Sequence, residues 1–214
     1  IIDQPELVHH VVLAKGTANG ILPGSDAPEG IDCIGNGLFV SGNFSEVGML
    51  GAWAPGMSPI RFGDDAGLLV RPDEYIVIQM HYYASETKDL SDQSGYAFMT
   101  TTTPPANVIQ MAPLGVTGFS IPAGAEDHTE RTTLDLPVTV KLWGAFPHMH
   151  ALGSGYHLSF ENSDGTDQCL VSSDSYDFDN QLTYMFKEPI EVPAEQPIHW
   201  QCSWDNSAHN PEQM

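Results

Sequence analysis

Hydrophobic residues in this chain form short runs, and proline and glycine separate those runs along almost the whole sequence. With 16 prolines and 20 glycines in 214 residues, few stretches are long enough for a helical period to persist. Short apolar runs with turn residues between them are typical of antiparallel β-sandwiches and β-barrels. We therefore expect an all-β fold with strands in residues 7–13, 67–70, 75–83, 96–102, 106–111, 132–136, 138–146, 156–161, 181–186 and 198–204.

Two segments alternate between apolar and polar residues with a period of two. They are residues 129–136 and 156–161, and the pattern is that of a strand with one face on a core and the other in solvent. Asn162-Ser163-Asp164-Gly165 follows the second segment and predicts a hairpin turn. Residues 14–60 are predicted to be rich in loops.

The domain organisation is indicated by a break in the strand pattern at residues 101–106. Two consecutive prolines, Pro104 and Pro105, are incompatible with the interior of a sheet, so this segment is the best candidate for a junction. We expect two β domains, residues 1–104 and 105–214. Each has about 100 residues, which is enough to bury a core.

The charge of the chain excludes some classes of partner. Seven basic residues against 28 acidic ones give a net charge of −21, which repels nucleic acid and anionic membranes. Most of this acid is expected to form a solvated surface. No apolar stretch reaches the length of a membrane span.

The three cysteines leave the redox compartment open between two alternatives. Cys33, Cys169 and Cys202 fit an oxidising compartment with one disulfide and one leftover thiol, and they fit equally well three reduced, buried thiols. None has the close spacing of a zinc–thiolate site.

A pair of histidines, His148 and His150, is the strongest sign of chemistry. Residues i and i+2 of a strand point to the same face, so the two imidazoles can bind one metal ion. The apolar run 138–146 precedes them and a glycine-rich segment follows, so the pair is expected where a strand meets a loop. The alternative is an exposed polar pair at a strand end.

Two further histidine positions lie upstream, at His9-His10 and at His81. Neighbouring residues of a regular strand point in opposite directions, so His9 and His10 can bind one ion only if the strand twists or ends there. His81, taken alone, is expected to be structural. The other histidines are expected to be surface or packing residues; they are His128, His157, His199 and His209.

The choice of metal depends on the remaining ligands. Imidazole suits copper, zinc, iron and nickel, whereas a thioether selects a soft ion such as Cu(I). Met185 and Met214 could complete a set of two histidines and one methionine. The residues alone therefore indicate a β protein with one or two histidine-rich metal sites.

Four segments occur in the order and approximate spacing of a known family. They are residues 8–13 (Val-His-His-Val-Val-Leu), 78–83 (Ile-Gln-Met-His-Tyr-Tyr), 146–153 (Phe-Pro-His-Met-His-Ala-Leu-Gly) and 202–207 (Cys-Ser-Trp-Asp-Asn-Ser), with 51–56 (Gly-Ala-Trp-Ala-Pro-Gly) between the first two. Together they resemble the copper type II, ascorbate-dependent monooxygenases, the relatives of peptidylglycine α-hydroxylating monooxygenase and dopamine β-monooxygenase. The segments around Cys33 and Cys169, with residues 176–181, are more similar to the bacterial branch.

The resemblance implies two tandem antiparallel β-sandwich, jelly-roll-like domains, each contributing one copper site to a shared cleft. His9, His10 and His81 match the copper that stores and passes an electron. His148 and His150 match the copper at which oxygen binds and a substrate C–H bond breaks, and there the family adds a methionine, for which Met214 is the candidate. The reductant would be ascorbate or another one-electron donor.

Other expectations follow from where this chain departs from the family. An arginine that holds a peptide carboxylate is replaced here by Phe146, so a small apolar or aromatic substrate is expected. In the family, the sulfur ligand lies farther along the chain from the matching cysteine than Met214 lies from Cys202. The resemblance also implies that Cys202 forms a disulfide with a cysteine beyond Met214. The first domain is expected to lack its first strands, so the chain would be a piece of a longer one.

The sequence is compatible with three functions from different classes. The first is an extracellular or periplasmic dicopper monooxygenase that hydroxylates an aliphatic C–H bond with O2. The second is a non-catalytic copper-binding or electron-transfer β-sandwich protein, and the third is a structural sandwich in which the histidines hold a structural ion.

Overall fold

The structure, a computed structural model, describes residues 1–17, 47–83, 91–112, 114–115 and 118–212. Within these ranges the chain is all-β and contains no helix. The strands are β1 (Val8–Thr17), β2 (Val47–Trp53), β3 (Ala66–Leu68), β4 (Glu74–Tyr82), β5 (Asn107–Ile109), β6 (His128–Leu134), β7 (Val140–Ala145), β8 (Gly153–Glu161), β9 (Asp167–Ser173), β10 (Tyr184–Val192) and β11 (Ile198–Trp204). No helix in these ranges could cross a membrane.

The backbone divides into two compact units, the first formed by residues 1–55 and 62–112. Its main sheet is antiparallel with the strand order β2-β1-β4, and β3 and β5 form a separate parallel pair. The central strand β1 carries the most deeply buried side chains of this unit, among them Val8, Val11 and Leu13. Burial of β1 on both sides explains its nearly continuous apolar sequence.

The second unit consists of residues 56–61 and 113–214. It contains a four-stranded antiparallel sheet with the order β6-β11-β8-β9 and a two-stranded sheet of β10 and β7. Alternate residues of β11 and β8 supply its core, which includes Trp200, Cys202, Leu158 and Phe160. The register pairs Trp200 with Leu158 and Cys202 with Tyr156, so buried residues of the two strands lie opposite one another.

Most of the predicted strands are confirmed, and two kinds of error stand out. The predicted strand at residues 96–102 is wrong, since this described segment has no strand. Strands β2 and β9 were not predicted: β2 lies in the region expected to be loops, and β9 begins with the polar run Asp167-Gln168-Cys169. Both pair with an apolar neighbouring strand, which supplies the stabilisation that their own sequences do not indicate.

The predicted hairpin turn after β8 is confirmed. The Asn162 amide donates to the Thr166 carbonyl at 2.8 Å, and Gly165 has a φ of 81°. This left-handed conformation costs glycine little, so the turn brings β8 and β9 into antiparallel register. The expected domain boundary between residues 104 and 105 stays a prediction.

Candidate metal centres

Three histidines of the first unit bring their ring nitrogens together. The Nδ1 atom of His9 lies 2.9 Å from that of His10 and 3.4 Å from that of His81, and the Nδ1 atoms of His10 and His81 are 3.3 Å apart. Ligand nitrogens about 2.0 Å from one tetrahedral ion are separated by about 3.3 Å. The three nitrogens are therefore spaced as ligands of a single ion.

A β-bulge explains how two adjacent histidines reach one point. In the pairing of β1 with β4, Val8 lies opposite Tyr82 and His10 lies opposite His81, so His9 is an extra residue on β1. A bulge of this kind bends the strand and changes the direction of a side chain. The bulge therefore allows His9 and His10 to face the same point, although neighbouring residues of a regular strand point in opposite directions.

The protonation of the three rings also favours a bound cation. A neutral imidazole has one N–H, so in each contact between two Nδ1 atoms only one can donate. Three mutual contacts cannot all be good hydrogen bonds, because at least one of them must join two like groups, either two lone pairs or two N–H groups. His9 is 4% exposed, so water does not readily relieve this repulsion. A metal ion placed between the three nitrogens would remove it.

The second histidine pair follows β7 in the second unit. Strand β7 ends at Ala145, so His148 and His150 lie just beyond it, as the sequence predicts. Pro147 and Met149 are buried while the two histidines are exposed, which places both imidazoles on the same side of the backbone. Their ring centroids are 5.3 Å apart and the rings are nearly perpendicular.

Gln181 determines which nitrogen of His148 is available. The Nδ1 atom of His148 donates to the Gln181 side-chain oxygen at 2.6 Å, and the Gln181 Nε2 atom donates to the Phe178 carbonyl at 2.8 Å. This second bond fixes the orientation of the amide, so its oxygen faces the histidine. The proton of His148 is thereby held on Nδ1, and Nε2 is left with a lone pair for a metal.

The pKa of His148 is lowered from its usual value. Desolvation by the surrounding protein is the main cause, the hydrogen bond with Gln181 opposes it, and the neighbouring charge of His150 adds to it. A lowered pKa keeps the ring neutral at neutral pH. Neutral imidazole is the form that binds metals.

The backbone between the two histidines is held by Tyr176. Its hydroxyl donates to the Met149 carbonyl at 2.6 Å and accepts from the Met149 amide at 3.0 Å. Gly153 lies against the same segment, and a Cβ atom there would be 2.8 Å from both the Met149 Cβ and the Tyr176 ring. The loop therefore has a defined conformation, which fixes the separation of the two imidazoles.

A loop at residues 56–61 of the second unit packs against Asn180 and Leu182. Gly56 has a φ of 85°, and a Cβ atom at this position would collide with the side-chain oxygen of Asn180. The adjacent Met57 sulfur lies 4.0 Å from the Thr183 hydroxyl. Glycine at residue 56 thus allows this loop to approach the segment that holds His148.

The methionine candidates occupy different environments. Met214 lies outside the described residues, so its role stays a prediction. Met149 is 5% exposed and packs in the hydrophobic core, on the side opposite to the two histidines. Met185 is in β10, where its sulfur lies next to Gly144 of β7.

The described cysteines are both free thiols. Cys169 is exposed on β9, whereas Cys202 is buried in the core, and this burial raises the pKa of Cys202 to about 11. Cys33 lies outside the described residues. The pairing of Cys202 with a cysteine beyond Met214, which the resemblance implies, stays a prediction.

Sequence reasoning did not identify Gln181 or Tyr176 as parts of a site. Both belong to the run at residues 176–181, whose sequence indicates only a similarity to the bacterial branch of the family. Their roles depend on contacts with residues 27 and 33 positions away in the sequence. A polar run after a strand indicates a loop and does not show which histidine that loop will contact.

No protein-family model matches the chain, and no curated protein matches it.

Proposed function

We propose that this protein is a dicopper monooxygenase. It would hydroxylate an aliphatic C–H bond of a small substrate with O2, using ascorbate or another one-electron donor. The observation that carries the proposal is the convergence of three Nδ1 atoms, at separations of 2.9 to 3.4 Å, from His9, His10 and His81. Imidazole suits several metals, and the resemblance of the motif order to the copper monooxygenases supports copper among them.

The three-histidine cluster is suited to storing and passing an electron. Three nitrogens from strands of one sheet supply a firm ligand set, since β1 and β4 are paired on both sides of the bulge. A ligand set that changes little between oxidation states has little to reorganise when an electron moves. His81 is exposed, which leaves a route for an electron to enter.

The pair of His148 and His150 is suited to the chemical step. It contributes only two protein nitrogens from the described residues, so positions remain for oxygen and for a further ligand. Gln181 keeps the His148 Nε2 atom unprotonated, and Tyr176 maintains the spacing of the two rings. Copper, when bound, would supply the one-electron chemistry by which oxygen is reduced and activated.

The surroundings of this pair favour an apolar or aromatic substrate. The ring of Phe146 lies 6.3 Å from that of His148, and the ring of Phe178 lies 6.3 Å from that of His150. Aromatic side chains on both sides offer apolar contact area to a ligand. Phe146 also offers no charge to a substrate carboxylate.

The alternative is a copper-binding or electron-transfer protein that does not turn over substrate. The low exposure of His9 favours it, because a ligand that is shielded from solvent fits a metal that transfers electrons. A structural ion in the histidine cluster is the third possibility.

One experiment separates these functions. The protein should be loaded with copper, and metal content per chain should be measured together with oxygen consumption and product formation from a panel of apolar substrates. The monooxygenase proposal expects two coppers and equal amounts of oxygen consumed and product formed. Two bound coppers without coupled product formation would support the electron-transfer protein. Zinc in the native protein would support the structural ion.

Met214 is proposed as the sulfur ligand of the second copper. X-ray absorption of the reduced protein should show one copper–sulfur contact that disappears in Met214→Ile, because a thioether stabilises Cu(I). Met185→Ile is the matched control. A contact that persists in Met214→Ile and disappears in the control would transfer the role to Met185.

A further inference from the structure

A second group of possible ligands lies on the polar face of the four-stranded sheet. Along β11 the residues alternate, so His199 and Gln201 face away from the core that contains Trp200 and Cys202. His199 is nevertheless 9% exposed. It was expected to be a surface or packing residue, and the structure places it among charged side chains instead.

The ring of His199 has one nitrogen without a hydrogen bond. Its Nδ1 atom is 3.1 Å from the Thr133 hydroxyl, whereas Nε2 is buried and has no hydrogen-bond partner among the described residues. The nearest charged atoms are carboxylate oxygens of Glu161 at 3.7 Å and Asp167 at 4.0 Å. These distances are too long for hydrogen bonds.

Neither neutral form of the ring is satisfied by these neighbours. If Nε2 carries the proton, a buried N–H lacks an acceptor, which costs about 1–3 kcal/mol. If Nδ1 donates to Thr133, the lone pair of Nε2 faces two negatively charged groups. In the second case, a cation placed between the three side chains would bind the Nε2 lone pair and balance the negative charges. The Thr133 hydroxyl then keeps the proton on Nδ1.

We propose that Glu161, Asp167 and His199 bind one divalent cation, for which zinc is the best candidate. The three ligand atoms lie within 4.8 Å of one another. Ligands of one zinc ion are separated by about 3.3–3.5 Å in a tetrahedral site, so a small movement of the exposed carboxylates completes the geometry. An imidazole ligand favours zinc over calcium or magnesium, and two carboxylates disfavour Cu(I).

The surroundings support a site that is both oriented and accessible. An Arg131 nitrogen lies 3.8 Å from the Asp167 Oδ2 atom, while the Oδ1 atom is the one that faces His199. Arg131 can therefore orient the carboxylate without blocking it. A cavity of about 380 Å³, lined in part by Arg131, Asp167 and His199, gives room for water ligands.

The position of the three ligands suggests what the ion would do. Glu161 ends β8, Asp167 begins β9, and His199 lies on β11, so one ion would join the β8–β9 hairpin to the neighbouring strand. These residues are separate from the proposed copper ligands. The zinc site therefore does not depend on the monooxygenase proposal.

The test compares zinc binding and thermal unfolding in matched variants. The wild-type chain should bind one more zinc ion than Glu161→Gln or Asp167→Asn, with affinity at this site lowered more than about tenfold. Glu188→Gln, which removes a charge at an exposed position of β10, should bind as many ions as the wild type. His81→Ala should lose a different ion and leave this one in place.

The melting temperature, Tm, is a second measurement, and it distinguishes a zinc site from a histidine–carboxylate ion pair. In chelator, Glu161→Gln should raise the Tm by reducing repulsion between carboxylates, and zinc should then raise the Tm of the wild type more than that of the variant. A histidine–carboxylate ion pair alone would make the variant less stable in chelator. That result, or equal zinc binding by the wild type and both variants, would overturn the proposal.

Discussion

The two histidine centres are built in different ways. His9, His10 and His81 come from two paired strands, and their Nδ1 atoms converge within 3.4 Å of one another. His148 and His150 come from one segment after a strand, and the Nδ1 atom of His148 is already bonded to Gln181. The first centre therefore offers Nδ1 atoms and the second offers Nε2 of His148.

This difference affects how each centre depends on its surroundings. In the first centre, the sheet register and a bulge bring the nitrogens together, so the positions of the histidines depend directly on the pairing of the strands that carry them. In the second, local sequence brings the pair together, and Gln181 and Tyr176 then select the tautomer and hold the loop. We expect the second centre to be more sensitive to changes in residues that do not bind metal.

The largest effect is expected at the second centre itself. His148→Ala should lower hydroxylation by at least about a hundredfold, because one of very few ligands is lost, and it should leave the copper at the three-histidine cluster in place. Turnover and copper per chain measure this. His209→Ala, at an exposed histidine of the same unit, is the control. Near-normal activity with two coppers in His148→Ala would contradict the assignment.

The next effect concerns the first centre. His81→Ala should weaken copper binding there by more than about tenfold and slow electron delivery, with little change in substrate binding. Copper content, the rate of reduction and the substrate Kd should be measured together. Tyr75→Phe, at an exposed position on the same strand, is the matched control. If His81→Ala removed the ion at His148 and His150 instead, the distinction between the centres would fail.

A smaller effect is expected from the hydrogen bond to His148. Gln181→Leu should weaken copper binding at the second centre by about 10–100-fold, since the ring loses the partner that fixes its tautomer. The three-histidine cluster should be unaffected. Gln168→Leu, at an exposed position on β9, should change neither centre. Equal losses at both centres in Gln181→Leu would show a general loss of structure.

The smallest effect is expected from Tyr176→Phe. This variant keeps the ring but loses both hydrogen bonds to Met149, so the free energy of unfolding should fall by about 1–3 kcal/mol. Copper binding at the second centre should weaken less than in Gln181→Leu. In Tyr184→Phe, which loses a hydrogen bond with Tyr156, stability should fall without a change in copper affinity. Copper titration with denaturant unfolding distinguishes the two variants.

Several features could be predicted from the sequence because they depend on residues close together in the chain. The strand period at residues 156–161 and the turn at 162–165 are local patterns, and both are confirmed. The shared direction of His148 and His150 follows from their spacing of two residues, and the burial of Met149 between them agrees with it. Alternation along an extended backbone needs no knowledge of the partner strand.

Other features were decided only by the tertiary structure. The bulge at His9 exists in the pairing of β1 with β4, and the contact of His9 with His81 joins residues 72 positions apart. The hydrogen bond of Gln181 and the burial of His199 likewise depend on which strands and loops become neighbours. Sheet register is set by the packing of whole strands, so the sequence indicates which side chains are available and the fold decides which of them meet.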